Sequence, residues 1–168
     1  MEKENFGFID GQNLNLGIQR LGWKLDLRRF RIYLKDKYGV KKVYYFIGFL
    51  PENQNLYKSL QEYGYVLIFK PTLNTPNGKI KGNCDAELVL QAMIDFPHYE
   101  KAVIVTSDGD FSCLAEYLYR QGKLEVILSP GRVHCSSLLK KAGREKIQFL
   151  DDLKNKLEFR NGTKKAPL

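Results

Sequence analysis

Short apolar runs alternate with amphipathic helical stretches along most of the 168-residue chain. The runs cover residues 6–9, 43–47, 65–69, 102–106, 124–128 and 147–150. Such alternation is typical of a parallel sheet that carries helices on both faces, joined by right-handed crossovers. We therefore predict an α/β fold. The pattern predicts a single-domain, three-layer α/β/α sandwich with a mainly parallel central sheet.

The intervals between the runs have the apolar periodicity of helices. Residues 25–37 form one such stretch, with Asp26 at its start and Gly39 as its stop. Asn83 is a candidate N-cap for a later helix whose apolar residues recur at i, i+3, i+4 and i+7. That spacing predicts a stripe facing the core, made of Ala86, Val89, Leu90 and Met93.

The segment 70–83 interrupts this alternation. It is rich in Pro, Gly, Asn and Lys, and it predicts a long functional loop with a hairpin turn at Asn77-Gly78. Near the end of the chain, residues 151–159 predict a last helix, and 160–168 predict a flexible basic tail. We therefore assign residues 1–159 to one domain.

The composition limits the class of protein. A formal net charge of +8 favours a polyanionic partner, with nucleic acid as the first choice. No apolar run approaches the roughly 20 residues of a membrane span, and the polar N-terminus does not resemble a signal peptide. The cysteines form no CxxC pair, so neither a zinc site nor a disulfide framework is predicted. We expect a cytoplasmic protein that makes no membrane contact.

Acidic residues follow two of the apolar runs. Asp10 ends the first run, and the turn Ser107-Asp108-Gly109-Asp110 follows the fourth. If the first five strands follow the order 3-2-1-4-5, these runs are neighbours where the strand order reverses, and ligands bind there outside the carboxyl ends of strands. Two carboxylates about 4 Å apart repel by about 4 kcal/mol at an effective dielectric near 20. Because hard cations prefer carboxylate oxygens, the pattern predicts a site for Mg²⁺ or Mn²⁺.

Asp85, in the first turn of the helix after the long loop, is the fourth candidate acid. Each of the four also has an ordinary structural explanation. Asp110 is well placed to cap a helix, and Asp10 and Asp108 precede glycines in turns. Asp85 is favoured by the helix dipole alone. A purely structural origin would require all four acids to fall at one end of the sheet by chance.

Three segments resemble the signature segments of NYN domains, in the LabA-like branch of the PIN-like nuclease superfamily. They are Phe8-Ile9-Asp10-Gly11-Gln12-Asn13, Gly82-Asn83-Cys84-Asp85 and Thr106-Ser107-Asp108-Gly109-Asp110-Phe111. The resemblance covers residues 5–150 and implies a PIN-like fold, with the strand order 3-2-1-4-5 for the first five strands, and a metal-dependent ribonuclease site. It implies that Asp10, Asp85, Asp108 and Asp110 hold the metal, that Asn13 assists at the catalytic site, and that Ser107 contacts the substrate.

The function that we predict is a metal-dependent endoribonuclease, in which carboxylate-bound Mg²⁺ or Mn²⁺ activates a water that attacks RNA phosphodiester bonds. The alternative is a non-catalytic RNA-binding or scaffold module with the same fold. A phosphatase of the haloacid dehalogenase type needs Asp-x-Asp after the first strand, whereas here Gly11-Gln12 follows Asp10.

Basic residues around the crevice are candidates to bind substrate phosphates. Lys79 and Lys81 stand in the long loop just before Asp85, and Arg132 follows the fifth strand. A basic cluster on the helix at 25–37 (Arg28, Arg29, Arg31 and Lys35) could track a longer RNA or form a solvated face. RNA is the expected partner, and association into a homodimer is a further expectation.

Overall fold

A computed structural model describes residues 4–71, 73–74, 80–81 and 84–161 of the chain. The described strands are β1 (Asn5–Asp10), β2 (Val40–Phe49), β3 (Tyr65–Pro71), β4 (Leu73–Asn74), β5 (Ile80–Lys81), β6 (Ala102–Val105), β7 (Leu124–Ser129) and β8 (Ile147–Phe149). The described α-helices are α1 (Gly11–Arg20), α2 (Leu27–Tyr38), α3 (Gln54–Glu62), α4 (Asp85–Ile94), α5 (Ser112–Arg120), α6 (Ser137–Gly143) and α7 (Lys154–Leu157). Short 3-10 turns precede α3, α5, β8 and α7.

Six strands form one sheet in the order β3-β2-β1-β6-β7-β8, and every neighbouring pair is parallel. The α/β fold and the predicted order of the first five strands are therefore confirmed, and the run at 147–150 supplies β8 at one edge. The strand order reverses between β1 and β6, where Ile9 pairs with Val105. The carboxyl ends of these two central strands thus lie side by side.

The sheet is buried between two layers of helices, as the sandwich prediction requires. On one face α1, α2, α3 and α7 cover a core that includes Ile9, Tyr45 and Val105. On the other face α4, α5 and α6 cover a core that includes Phe8 and Ile104. Successive strand residues point to opposite faces, and because both faces are covered the strands are apolar throughout. All four residues of β6 have no exposed surface.

Helix α2 begins and ends at the residues that its sequence indicates. The Asp26 side chain accepts hydrogen bonds from the backbone N–H groups of Arg28 and Arg29, at 3.1 and 3.0 Å. Gly39 adopts the left-handed conformation, with φ of 64°, which glycine adopts at little cost. Because β2 begins directly after Gly39, the C-terminal end of α2 lies at the edge of the sheet opposite to the acids.

The predicted core stripe of α4 was wrong. The residues of α4 that pack into the core are Leu88 and Ala92, together with part of Val89. Ala86, Leu90 and Met93 are exposed instead, and Leu90 retains 61% of its accessible surface. Helix α4 carries apolar residues around most of its circumference, so periodicity alone selected the wrong face.

The long loop contains a short antiparallel ladder between β4 and β5, which is consistent with the predicted hairpin. Its turn at Asn77-Gly78 lies outside the described residues, as do Lys79 and Asn83. Most of the expected tail, residues 162–168, is also outside them, so the division at residue 159 stays a prediction. Within the described ranges, no helix has the length and apolar character needed to cross a bilayer.

Candidate metal centre

Three of the four candidate acids converge at the carboxyl edge of the sheet. Asp10 is the last residue of β1, Asp108 follows β6 after two residues, and Asp85 opens α4. One carboxylate oxygen from each of them can be chosen so that all three atoms lie within 4.8 Å of one another. All three residues are half-buried. They border a cavity of about 360 Å³, whose other walls include Gln12, Asn13, Leu16, Ile47 and Cys84.

Hydrogen bonds join β1 and α1 to the turn after β6. Thr106 is fully buried. Its hydroxyl donates a hydrogen bond to Asp10 Oδ2 at 3.2 Å and accepts one from the Asp108 N–H at 3.1 Å. Asn13 Oδ1 accepts both the N–H of Ser107, at 2.9 Å, and its hydroxyl, at 3.1 Å. These contacts fix the backbone and side chains that carry two of the acids.

The pKa of Asp10 shows that its carboxylate is costly to ionise in this site. Burial is the main cause that raises the pKa of Asp10 from its ordinary value of 3.8 to about 6, and the charges of Asp85 and Asp108 raise it further. Hydrogen bonds from the Asn13 N–H and the Thr106 hydroxyl act in the opposite direction. A carboxylate that is costly to ionise in a half-buried site gains most from a nearby cation.

The two acids in the turn after β6, Asp108 and Asp110, have different surroundings. Asp108 caps the 3-10 turn that opens α5, because its Oδ1 accepts the Asp110 N–H at 2.9 Å. The capping role that the sequence offers to Asp110 therefore belongs to Asp108. Asp110 itself is exposed and does not belong to the cluster of three. Its assignment as a metal ligand stays a prediction.

Gly109 has a steric reason to be glycine in this turn. A Cβ at this position would lie 2.4 Å from Ser136 Oγ, which would have to rotate away, and 3.1 Å from Ser136 Cβ, which is closer than most Cβ contacts. The close approach accompanies a hydrogen bond from the Ser136 N–H to the Ser107 carbonyl oxygen, at 3.1 Å. The segment before α6 therefore packs directly on the acidic turn and supports it from one side.

Among the predicted phosphate ligands, Arg132 has described contacts with residues outside the cluster of three acids. Its guanidinium pairs with Asp152 at 2.7 Å and lies over the Phe149 ring, 4.3 Å from the centroid. Lys81 lies in β5, and its side chain is outside the described atoms, as is the whole of Lys79. The substrate-binding roles of Lys79, Lys81, Arg132 and Ser107 stay predictions.

The donor set fits Mg²⁺ or Mn²⁺. These hard cations bind through a few carboxylates and retain several waters, and a cluster of three acids beside an open cavity offers both. Thr106 is the residue that sequence reasoning missed. A threonine at the end of an apolar run is ordinary, and only its position between Asp10 and the Asp108 N–H reveals its role.

Comparisons with known proteins bear on the family and the fold of the chain. A family model described as NYN domain matches residues 8–150, which include all three clustered acids. The low amplitude and bright protein LabA of Synechococcus elongatus is 28% identical over 137 residues, in a match that covers 75% of this chain and 74% of that protein. A crystal structure of a protein of unknown function from Vibrio parahaemolyticus has the same fold. The TM-score is 0.76 at 20% identity, and the match covers 94% of this chain and 98% of that one.

Proposed function

This chain belongs to the NYN domain family, whose fold is that of PIN-like nucleases, and on that premise we propose that it is a metal-dependent endoribonuclease. The proposed reaction is hydrolysis of RNA phosphodiester bonds. The proposed cofactor is Mg²⁺ or Mn²⁺, held by Asp10, Asp85 and Asp108. RNA is the proposed partner, and the cytoplasm is the proposed compartment.

The convergence of three carboxylates from three distant parts of the chain is the observation that carries this proposal. Without a cation, such a cluster costs the fold free energy, as the raised pKa of Asp10 indicates. A cation bound between the three carboxylates would replace their mutual repulsion by attraction. The net charge of +8 on the whole chain supports a polyanionic substrate.

The residues of this chain have distinct parts in the proposed reaction. A bound divalent cation supplies an activated water and offsets charge on the phosphate. Thr106 orients the Asp10 carboxylate through its hydroxyl hydrogen bond. Asn13 presents only its Oδ1 to Ser107, so its Nδ2 has no partner among the described residues and can donate to a phosphate oxygen. Ser107 holds Asn13 in that orientation.

Substitution of Asp108 by Asn tests the proposal. Asn keeps the oxygen that caps the Asp110 N–H, so we expect the variant to fold normally. We expect Asp108→Asn to lower the rate of cleavage of labelled RNA in Mn²⁺ or Mg²⁺ by at least about 100-fold, because even outer-shell changes at metal sites cost about 10- to 100-fold. The matched control is Asp36→Asn, which makes the same charge change on the exposed surface of α2.

Full cleavage by Asp108→Asn, or by the unmodified protein in excess EDTA, would refute a metal-dependent nuclease. The non-catalytic RNA-binding module gives a different result in the same experiment. It predicts salt-dependent RNA binding without cleavage in any divalent metal. Homodimer formation stays a prediction, which the mass of the protein in solution would test.

A further inference from the structure

A second cleft adjoins the acidic cavity. It lies between helix α1 and the loop that follows β7, and its walls include Arg20, Val133 and His134. Asn13 and Leu16 line both the cleft and the acidic cavity, so the two spaces adjoin each other along one face of α1. A chain bound at the acids therefore passes close to this cleft.

Close backbone packing builds the wall of the cleft. A Cβ on Gly17 would lie 2.6 Å from Pro130 Cβ, so glycine is what lets α1 contact the loop. The buried Ser129 hydroxyl donates to the Gly131 carbonyl oxygen at 2.9 Å and holds the loop in its turn. Because both walls are fixed by these contacts, the cleft is a formed feature of the fold.

The charge of the cleft is opposite to that of the acidic cavity. Arg20 is exposed, and within the described parts of the chain it has no hydrogen-bond or ion-pair partner. The described lining of the cleft contains no carboxylate, whereas that of the adjoining cavity contains Asp10, Asp85 and Asp108. An anion is therefore attracted to the Arg20 side of the cleft.

The walls of the cleft also include exposed apolar side chains. Leu16 retains 45% of its accessible surface and Val133 retains 84%. Exposed apolar residues beside an unpaired cation suit a ligand that combines a flat apolar group with a negative charge. An unpaired nucleotide has both, in its base and its phosphate.

We propose that this cleft binds the nucleotide next to the scissile phosphate of single-stranded RNA, with its base between Leu16 and Val133 and its phosphate on Arg20. This assignment rests on the proposed nuclease function and adds the strandedness of the substrate. A base in a duplex is stacked and paired, so it does not offer its face to these side chains. The cleft therefore favours single strands.

Binding of fluorescently labelled RNA in EDTA tests the assignment without cleavage. The probes are a single strand of about 12 nucleotides and a duplex of the same sequence. The test variants are Arg20→Ala and the double substitution Leu16→Ala, Val133→Ala. Two matched controls remove the same groups elsewhere. Lys37→Ala removes an exposed cation at the opposite edge of the sheet, and Leu90→Ala shortens an exposed leucine of α4.

We expect Arg20→Ala to weaken single-strand binding by about 5-fold and to lower the slope of log affinity against log salt by about 0.7, which is the contribution of one phosphate contact. The double apolar substitution should weaken single-strand binding by about 5-fold, which is less than the roughly 10-fold that one methylene contributes in a closed pocket. It should leave duplex binding unchanged. Both controls should bind as the unmodified protein does.

Cleavage by the same variants in Mn²⁺ separates the two proposals. If the unmodified protein cleaves RNA and the cleft variants bind like it, the cleft assignment is wrong and the nuclease proposal stands. If the double substitution weakens single-strand and duplex binding equally, the cleft does not select strandedness and the assignment fails. If the unmodified protein binds RNA without cleaving it, the nuclease proposal fails, and the Arg20→Ala result still decides the cleft. If it neither binds RNA in EDTA nor cleaves it in Mn²⁺, both proposals are wrong.

Discussion

Replacing Asp10 by Asn should stabilise the metal-free protein at neutral pH. The pKa of Asp10 lies at about 6 instead of 3.8, mainly because the residue is buried. One pKa unit corresponds to about 1.4 kcal/mol, so ionised Asp10 costs the folded state about 3 kcal/mol. Asn is neutral and can still accept the Asn13 N–H. It loses the oxygen that accepts the Thr106 hydroxyl, at a cost of about 1 kcal/mol, which leaves a net gain of about 2 kcal/mol.

The pH dependence of this gain has a definite sign. A carboxyl group with a raised pKa favours the folded state most below its unfolded value, near 3.8, and that contribution is lost as the pH rises through about 6. The advantage of Asp10→Asn should therefore be complete above about pH 7 and should turn into a deficit of about 1 kcal/mol below about pH 4, where only the lost Thr106 hydrogen bond remains. Urea unfolding in EDTA, followed by circular dichroism at both ends of this range, measures it. At neutral pH the melting temperature should rise by about 4 to 8 °C.

Divalent metal should reverse the order of stability. A cation at 100 times its dissociation constant stabilises the folded protein that binds it by about 2.7 kcal/mol. We expect Mn²⁺ to stabilise the unmodified protein and to have a smaller effect on Asp10→Asn. Asp36→Asn, on the exposed surface of α2, is the control and should change neither curve. The reasoning is wrong if Asp10→Asn is no more stable than the unmodified protein in EDTA at neutral pH, or if its advantage persists in acid.

Two other substitutions test the site and its supports. Asp110→Asn should slow RNA cleavage by less than about 10-fold, well below the loss expected for Asp108→Asn, because Asp110 lies outside the cluster of three acids; equal losses in the two variants would make Asp110 a full member of the site. Gly17→Ala should lower the free energy of unfolding by about 1 to 3 kcal/mol, because its Cβ overlaps Pro130 at 2.6 Å; an unchanged urea midpoint would show that α1 and the loop can separate freely.

The apolar runs were sufficient to locate the strands of the sheet, because parallel strands buried on both faces are apolar throughout, and β1 and β6 are clear examples. The order of the strands followed from the resemblance to NYN domains. It was insufficient for α4, whose apolar residues surround the helix. Leu88 and Ala92 face the core while Leu90 and Met93 face outward, and only the packing of α4 against the sheet decides between the two faces. The contacts of Arg132 could not be predicted for a related reason. Its partner Asp152 is 20 residues away, and no local pattern indicates that pair.

The structural and functional explanations of the acids are compatible in the folded chain. Asp108 uses Oδ1 to cap the Asp110 N–H, which leaves Oδ2 for a cation. Asp10 accepts the Asn13 N–H on Oδ1 and the Thr106 hydroxyl on Oδ2, and each carboxylate oxygen has a second lone pair. Capping therefore does not compete with metal binding. It fixes the direction in which each carboxylate points, which is what a cation site formed from separate segments needs. The capping pattern in the sequence is thus a reason to expect ordered ligands at this edge of the sheet.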